Sequence, residues 1–338
     1  MQPKEQIRAP RIGGVDTDGN SVSVDYSANL MNVVLFFEPV SAYSLETVEQ
    51  IRLMATKYER LSVGFWYVLE PRLSCMFKSE IAQRTLDRLS IFSNVLFDVN
   101  NMIALHASLK SVPAVFVADS NSFLSAQFEG TISLSELERT LQARIALSGY
   151  RDELPPMARF DIGSLADRSS RHLEPGIIRQ LGYATGDYFL GNVMSPETSQ
   201  EFLLPDFCLI NTIYPFGSWF VGRDFLGGNS GSTVYISCSS DESVTLFAGA
   251  EKGAVLRLHT SIESPRDLLL GKDVKTVNGS LQVEIEEFRP YEIISASGSS
   301  DLLVSLQVMS GTVQMYSVEF CPQRFVHVQG VPAHPYKY

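Results

Sequence analysis

The stretch Val33-Val34-Leu35-Phe36-Phe37-Glu38-Pro39-Val40-Ser41-Ala42-Tyr43-Ser44 decides how the first half of the chain folds. Five consecutive apolar residues followed by Glu-Pro read as a buried strand that stops at a turn. From Leu45 onward the apolar residues Leu45, Val48, Ile51, Leu53, Met54 and Tyr58 recur at helical spacing, with Glu46, Glu49, Gln50 and Arg52 between them. That spacing predicts a helix starting near Ser41 to Ser44, and serine is a preferred N-cap residue.

Working outward, Gly13-Gly14, Asp16-Thr17-Asp18-Gly19-Asn20 and the alternating Val22-Ser23-Val24-Asp25-Tyr26 predict a hairpin ahead of the main strand. After the first helix, Leu61 to Leu69 reads as a buried strand and Ser74 to Leu89 as an amphipathic helix on Phe77, Ile81, Leu86 and Leu89. Asn94 to Asp98 is a further strand and Met102 to Leu109 a short helix. Val112 to Asp119 and Phe123 to Phe128 form a strand pair that Gly130 ends, and Ile132 to Leu147 is a closing helix. The β-α-β alternation predicts a mostly parallel sheet. Pro113 stands at the start of its strand, where the missing N–H is tolerated.

This order resembles the TlpA/redoxin type of thioredoxin-like domain over roughly residues 10 to 148. In that family the turn after the first long strand carries a Cys-x-x-Cys pair, and a cis-proline faces it. Here Ser41 and Ser44 stand at the cysteine positions, and Val112-Pro113 matches the cis-proline segment. The resemblance therefore implies a scaffold whose reactive pair is missing. A helix N-terminus and neighbouring groups stabilise a thiolate there. A hydroxyl gains nothing comparable and forms no disulfide, so dithiol exchange does not carry over and no catalytic residue is assigned. Ser41, Ser44 and Pro113 are vestigial redox-site positions. If the groove beside Val112 and Pro113 still receives an extended protein or peptide, Tyr43 would be its aromatic anchor; the alternative is a merely exposed tyrosine.

The segment Tyr150 to Met157, with Pro155-Pro156, and the small polar run Ser164 to Ser170 predict a linker over 151–175. Short alternating runs then take over: Thr233 to Ser237, Ser243 to Phe247, Ala254 to Leu258, Leu281 to Ile285, Tyr291 to Ser295, Leu302 to Val308 and Val313 to Phe320. They predict an all-β jelly-roll sandwich over 176–325, with 326–338 as a tail and 1–150 as the α/β domain. Gly186 to Gly191, Gly217 to Gly222, Gly271 to Val274 and Gly311 to Phe320 resemble landmarks of the carbohydrate-binding-module-like sandwich that follows a thioredoxin-like domain in DipZ-type thiol-disulfide proteins. The resemblance implies sugar stacking by aromatics, for which Tyr183, Tyr188, Tyr214 and Trp219 are the candidates. Trp219 in an alternating strand also reads as core.

Other chemistry is thinly represented. A serine nucleophile needs a base, the histidine nearest in sequence is His106, and no Gly-x-Ser-x-Gly elbow is present. Cys75, after Arg72, is a candidate for a one-cysteine enzyme, although it follows the second strand of the sheet and reads first as an inert thiol. Cys75, Cys208, Cys238 and Cys321 form no metal spacing, and Glu284, Glu286 and Glu287 read as a solvated strand face before a calcium site. No cofactor or metal is read from the sequence. The 338 residues carry 27 Lys plus Arg against 38 Asp plus Glu, a formal charge of −11, which opposes binding to nucleic acid or anionic lipid. Without an apolar leader or a run of about 18 apolar residues, the chain reads as cytoplasmic, with no membrane segment.

Overall fold

The computed structural model describes residues 7–151, 153–157, 172–173, 176–184, 194–239, 242–261, 269–296 and 301–324. The first sheet is built on β3 (Met31–Phe37), whose seven residues are all buried. Val33, Leu35 and Phe37 pack into one hydrophobic cluster, while Val34 and Phe36 pack into another on the opposite face. A strand covered on both sides reads as an uninterrupted apolar run, which is why this stretch dominates the sequence.

The hairpin β1 (Gly13–Val15) and β2 (Ser21–Ser23) precedes β3, and α1 (Ala42–Lys57) follows it. Next come β4 (Val63–Leu69), α2 (Ser79–Arg88), β5 (Val95–Phe97), α3 (Met102–His106), β6 (Ala114–Asp119), β7 (Leu124–Glu129) and α4 (Leu134–Leu147). The strand order is β2-β1-β5-β4-β3-β6-β7. β3 runs parallel to β4 and antiparallel to β6, and β4 runs parallel to β5. The hairpin, its pairing with β5, and the β3–β6 and β6–β7 pairs are antiparallel, so the sheet is mixed where the β-α-β alternation predicted a mostly parallel one; the N-terminal part has a thioredoxin-like fold. The helix predicted from Ser74 divides in two, a 3-10 turn at Ser74–Phe77 and then α2, because Lys78 between them is extended (φ −78°, ψ 114°).

The second half is all β: β8 (His172–Leu173), β9 (Ile177–Gln180), β10 (Thr198–Phe202), β11 (Thr212–Val221), β12 (Leu226–Gly228), β13 (Thr233–Cys238) and β14 (Glu242–Gly249) come first. β15 (Ala254–Thr260), β16 (Leu269–Leu270), β17 (Val274–Val277), β18 (Ser280–Ile285), β19 (Arg289–Ala296), β20 (Leu302–Gly311) and β21 (Val313–Arg324) complete it. One antiparallel sheet runs β16-β19-β14-β21-β12-β11, and the other runs β17-β18-β15-β20-β13-β11. β11 belongs to both. Its first half, to Phe216, pairs with β13, and its second half, from Gly217, pairs with β10 and β12. Gly217 has φ +81°, a left-handed backbone that a side chain disfavours, and it lies where the strand passes from one sheet to the other. Both sheets bury residues in one core, Val244 and Leu246 from the first with Leu256, Val304 and Leu306 from the second.

β8 lies inside the stretch read as linker and pairs with β21, Gln323 opposite Leu173. Tyr188, the run Gly186 to Gly191, most of the predicted linker and the tail 326–338 fall outside the described residues. Among the described residues no helix is long and apolar enough to cross a membrane.

Candidate functional site

The site is the turn between β3 and α1. Ser41 is the N-cap of α1, with extended backbone (φ −93°, ψ 122°), and its Oγ accepts the Ser44 N–H at 3.1 Å. Ser44 is fully buried, and its own Oγ accepts the Glu38 N–H at 3.1 Å. Both hydroxyls thus hold the turn in shape. The first turn of α1 contains no acidic side chain of its own. An acid reaches it from β21 instead: the Ser41 hydroxyl donates to Glu319 Oε1 at 2.8 Å, and the Ala42 N–H donates to Glu319 Oε2. A carboxylate here meets unpaired amides and the positive end of the helix, the features that stabilise an anion.

The rest of the same face is covered as well. Asp224, in the connection between β11 and β12, takes the Ser74 N–H and accepts the Ser74 hydroxyl at 2.7 Å, at the start of the 3-10 turn. Val40, Leu73, Cys75, Met76, Ile81 and Ala82 form one buried cluster with Phe247 and Tyr316 of the β-rich half, and Phe225 and Phe288 pack on its edge. Arg88 lies 3.6 Å from Glu287, and the Lys78 Nζ is 5.9 Å from the Phe288 ring centre. Burying apolar surface contributes about 25 cal/mol per Å², whereas an ion pair as exposed as Arg88–Glu287 contributes little.

Behind Glu319 lies a group of buried acids. Glu38, Glu70 and Glu319 are 3%, 2% and 1% exposed. Arg72 spans two of them, its Nε 3.2 Å from Glu38 Oε2 and its Nη2 3.6 Å from Glu70 Oε2. Burial pushes the Glu38 carboxyl up to about 7; Arg72 opposes the rise and Glu319 adds to it. Burial likewise pushes Glu70 up to about 7, with Arg72 opposing and Asp98 and Glu38 adding. Glu319 is pushed up by burial, against hydrogen bonds from Ala42, Ser41 and Tyr43 that favour its anion. Among the described residues no group of three or more His, Cys, Asp or Glu side chains is arranged to hold a metal ion.

Several residues singled out in the sequence have other surroundings than an open groove requires. Tyr43 is 8% exposed, and its hydroxyl accepts the Ile132 N–H at 2.8 Å, so the ring points into the fold and offers no anchor. The Val112–Pro113 peptide is cis, as the resemblance implied; with Ala114 opposite Phe36, Pro113 lies level with the end of β3 beside the turn. Trp219 is 1% exposed and donates Nε1–H to the Phe216 carbonyl at 3.1 Å. Tyr214 is buried, and its hydroxyl accepts the Leu209 N–H at 2.6 Å. Neither ring presents a face to a sugar, because both fill the sandwich core and its margin. Tyr183 packs against that core, partly buried. Cys75 is buried, and burial pushes its thiol up to about 12, the reverse of what a nucleophilic cysteine needs. His106 is exposed, its Nδ1 2.7 Å from the Met102 carbonyl one turn back. Glu284 faces solvent, paired with Lys275 at 2.6 Å.

Glu319, Asp224 and the Arg72–Glu38–Glu70 group have no counterpart in the sequence reading. The one local signal for Glu319 is a lone acid in the otherwise apolar or uncharged run Val313 to Phe320.

No family model matches the chain, and no curated protein matches it. Solved structures similar to its N-terminal part include a thiol:disulfide interchange protein DsbE from Chlorobium tepidum (18% identity, 42% of this chain and 98% of that one, TM-score 0.37). A thioredoxin family thiol:disulfide interchange protein from the same organism matches at 15% identity over 42% of this chain and 99% of that one, with TM-score 0.36. A secreted disulfide oxidoreductase from Mycobacterium tuberculosis, homologous to E. coli DsbE, matches at 13% identity over 39% of this chain and 95% of that one, with TM-score 0.34.

Proposed function

We propose that this chain is a redox-inactive thioredoxin-fold protein acting as a binding scaffold, in which the β-rich domain is the built-in occupant of the surface that dithiol enzymes use for chemistry. The observation that carries this reading is Glu319 on the N-terminus of α1, bonded to the Ser41 hydroxyl and the Ala42 N–H. Dithiol exchange needs two thiols at that turn and an approach for the substrate disulfide. Here hydroxyls replace the thiols, and a carboxylate takes the anion position. The all-β half, as a jelly-roll sandwich, serves as a structural partner in this reading, which the burial of Trp219 and Tyr214, two of the candidate sugar-stacking aromatics, supports. Four free thiols fit a reducing compartment such as the cytoplasm.

The test is reduction of insulin disulfides with dithiothreitol as electron source. The expected outcome is a rate equal to the uncatalysed control for the wild type and for a variant without its four cysteines. A catalysed rate lost on Cys75→Ser would instead establish a one-cysteine enzyme.

A further inference from the structure

We infer that the contact between the two domains is proton-controlled: Glu319, Glu38 and Glu70 lock the domains together while the cluster holds protons and release them as it becomes fully ionised. The inference rests on the reading that the β-rich domain occupies the turn after β3, and it adds the control of that contact.

The geometry sets the charge imbalance. Three buried carboxyls lie in succession: Glu319 from β21 is within electrostatic reach of Glu38 in the turn after β3, and Glu38 shares Arg72 with Glu70, just past the end of β4. Facing Glu319 from α1 are the Ser41 hydroxyl and the N–H groups of Ala42 and Tyr43. Its own strand adds the Cys321 thiol, which is buried and lies within electrostatic reach of Glu46. β14 and β9 place Thr245 and Ile178 opposite it, neither of them charged. Behind Glu70 lies Asp98, whose two oxygens accept the Ile103 and Ala104 N–H groups at 2.7 Å each. Arg72 is, among the described residues, the cation paired with the cluster, and 37% of its side chain is exposed.

One guanidinium, partly in water, does not balance three buried carboxylates, so at least one of them keeps its proton where the domains are docked. One buried oxygen supports this directly: Glu70 Oε1 has no hydrogen-bond partner, whereas Glu38 Oε2 is held by Arg72 Nε at 3.2 Å. A fully charged carboxylate with an unsatisfied oxygen is the costlier state. Separating the domains returns water to Glu319 and Glu38, and both ionise at ordinary values. The docked form therefore binds more protons than the separated form, and docking weakens as pH rises, by up to about tenfold per pH unit for each group that titrates.

The cysteines supply the measurement. Cys75 is buried in the interdomain cluster, Cys238 in the core of the β-rich domain, and Cys208 is exposed. Pulsed alkylation of the full chain with N-ethylmaleimide, resolved by peptide mass spectrometry, gives the Cys75/Cys208 ratio, in which the common dependence on thiolate cancels. Between about pH 5.5 and 7.5 this ratio is expected to rise about tenfold or more in the wild type, with Cys238/Cys208 unchanged. Glu38→Gln, which keeps the volume and removes a titrating group, flattens the rise, and Glu319→Ala makes Cys75 reactive at both pH values. A flat wild-type ratio alongside a raised Glu319→Ala ratio overturns the proton control and leaves the docking reading standing. Cys75 equally protected in Glu319→Ala and wild type overturns the docking reading, and the inference with it. Cys238 rising in step with Cys75 assigns the pH effect to unfolding and also overturns the inference.

Discussion

Two helices of the first domain begin at a serine N-cap, and they are completed in opposite ways. At α4 the cap is local: Ser133 Oγ accepts the Glu136 N–H at 3.4 Å, and Glu136 supplies the acid of the first turn. At α1 the serine makes the same local bond, but the acid arrives from Glu319, 278 residues away along the chain. A local cap stabilises one helix. A cap supplied by another domain ties the stability of that helix to the contact between domains, and it places a buried charge where α4 has an exposed one.

The largest consequence of this difference falls on Glu319. Glu319→Ala leaves the Ser41 hydroxyl and the Ala42 N–H without their acceptor in a dry interface, and it is expected to cost about 3 kcal/mol in urea unfolding. A loss below about 0.5 kcal/mol would make the two N-termini equivalent.

The next effect is on pH dependence. Glu38 and Glu70 have folded values of about 7 against an ordinary 4.5. Their folded forms hold the proton more tightly than their unfolded forms, so the stability they contribute is complete below about pH 4.5 and is lost as pH rises through 7. Wild-type stability should therefore fall by about 2 kcal/mol or more from about pH 5 to pH 8, and Glu38→Gln should remove about half of the slope. A stability that climbs over that range would contradict the account.

Smaller effects separate the two caps themselves. Ser41→Ala removes an N-cap and a donor to Glu319 and is expected to cost about 2 kcal/mol; Ser133→Ala removes only a cap and should cost about 1 kcal/mol. Thermal unfolding of both variants checks the ranking, and equal losses would show that the bond to Glu319 contributes nothing at Ser41.

Much of the first domain is legible in the sequence because its signals are local or periodic. The run Val33 to Phe37 announces a strand buried on two faces, and Ser133 with Glu136 announces a helix start. The turn at Ser41 is legible too, since a serine before a helical run is a local capping signal. What covers the turn is not legible. Glu319 and Asp224 act across sequence separations of 278 and 150 residues, and no spacing rule joins an acid in a strand to a helix in another domain. Tyr43 shows the same limit: position suggested an exposed anchor, whereas the Ile132 N–H, 89 residues on, draws its hydroxyl inward. In the β-rich half, alternation located β13, β14, β15 and β18 to β21 but not the other strands, and the passage of β11 between two sheets at Gly217 depends on a backbone angle that the residue permits without requiring.

The most direct test of the account is amide hydrogen exchange at Ala42 and Tyr43, compared with Glu136, in the wild type and Glu319→Ala. The account predicts that Ala42 and Tyr43 are protected in the wild type and lose that protection in the variant, while Glu136 exchanges alike in both. Protection of Ala42 and Tyr43 that survives the substitution would contradict it.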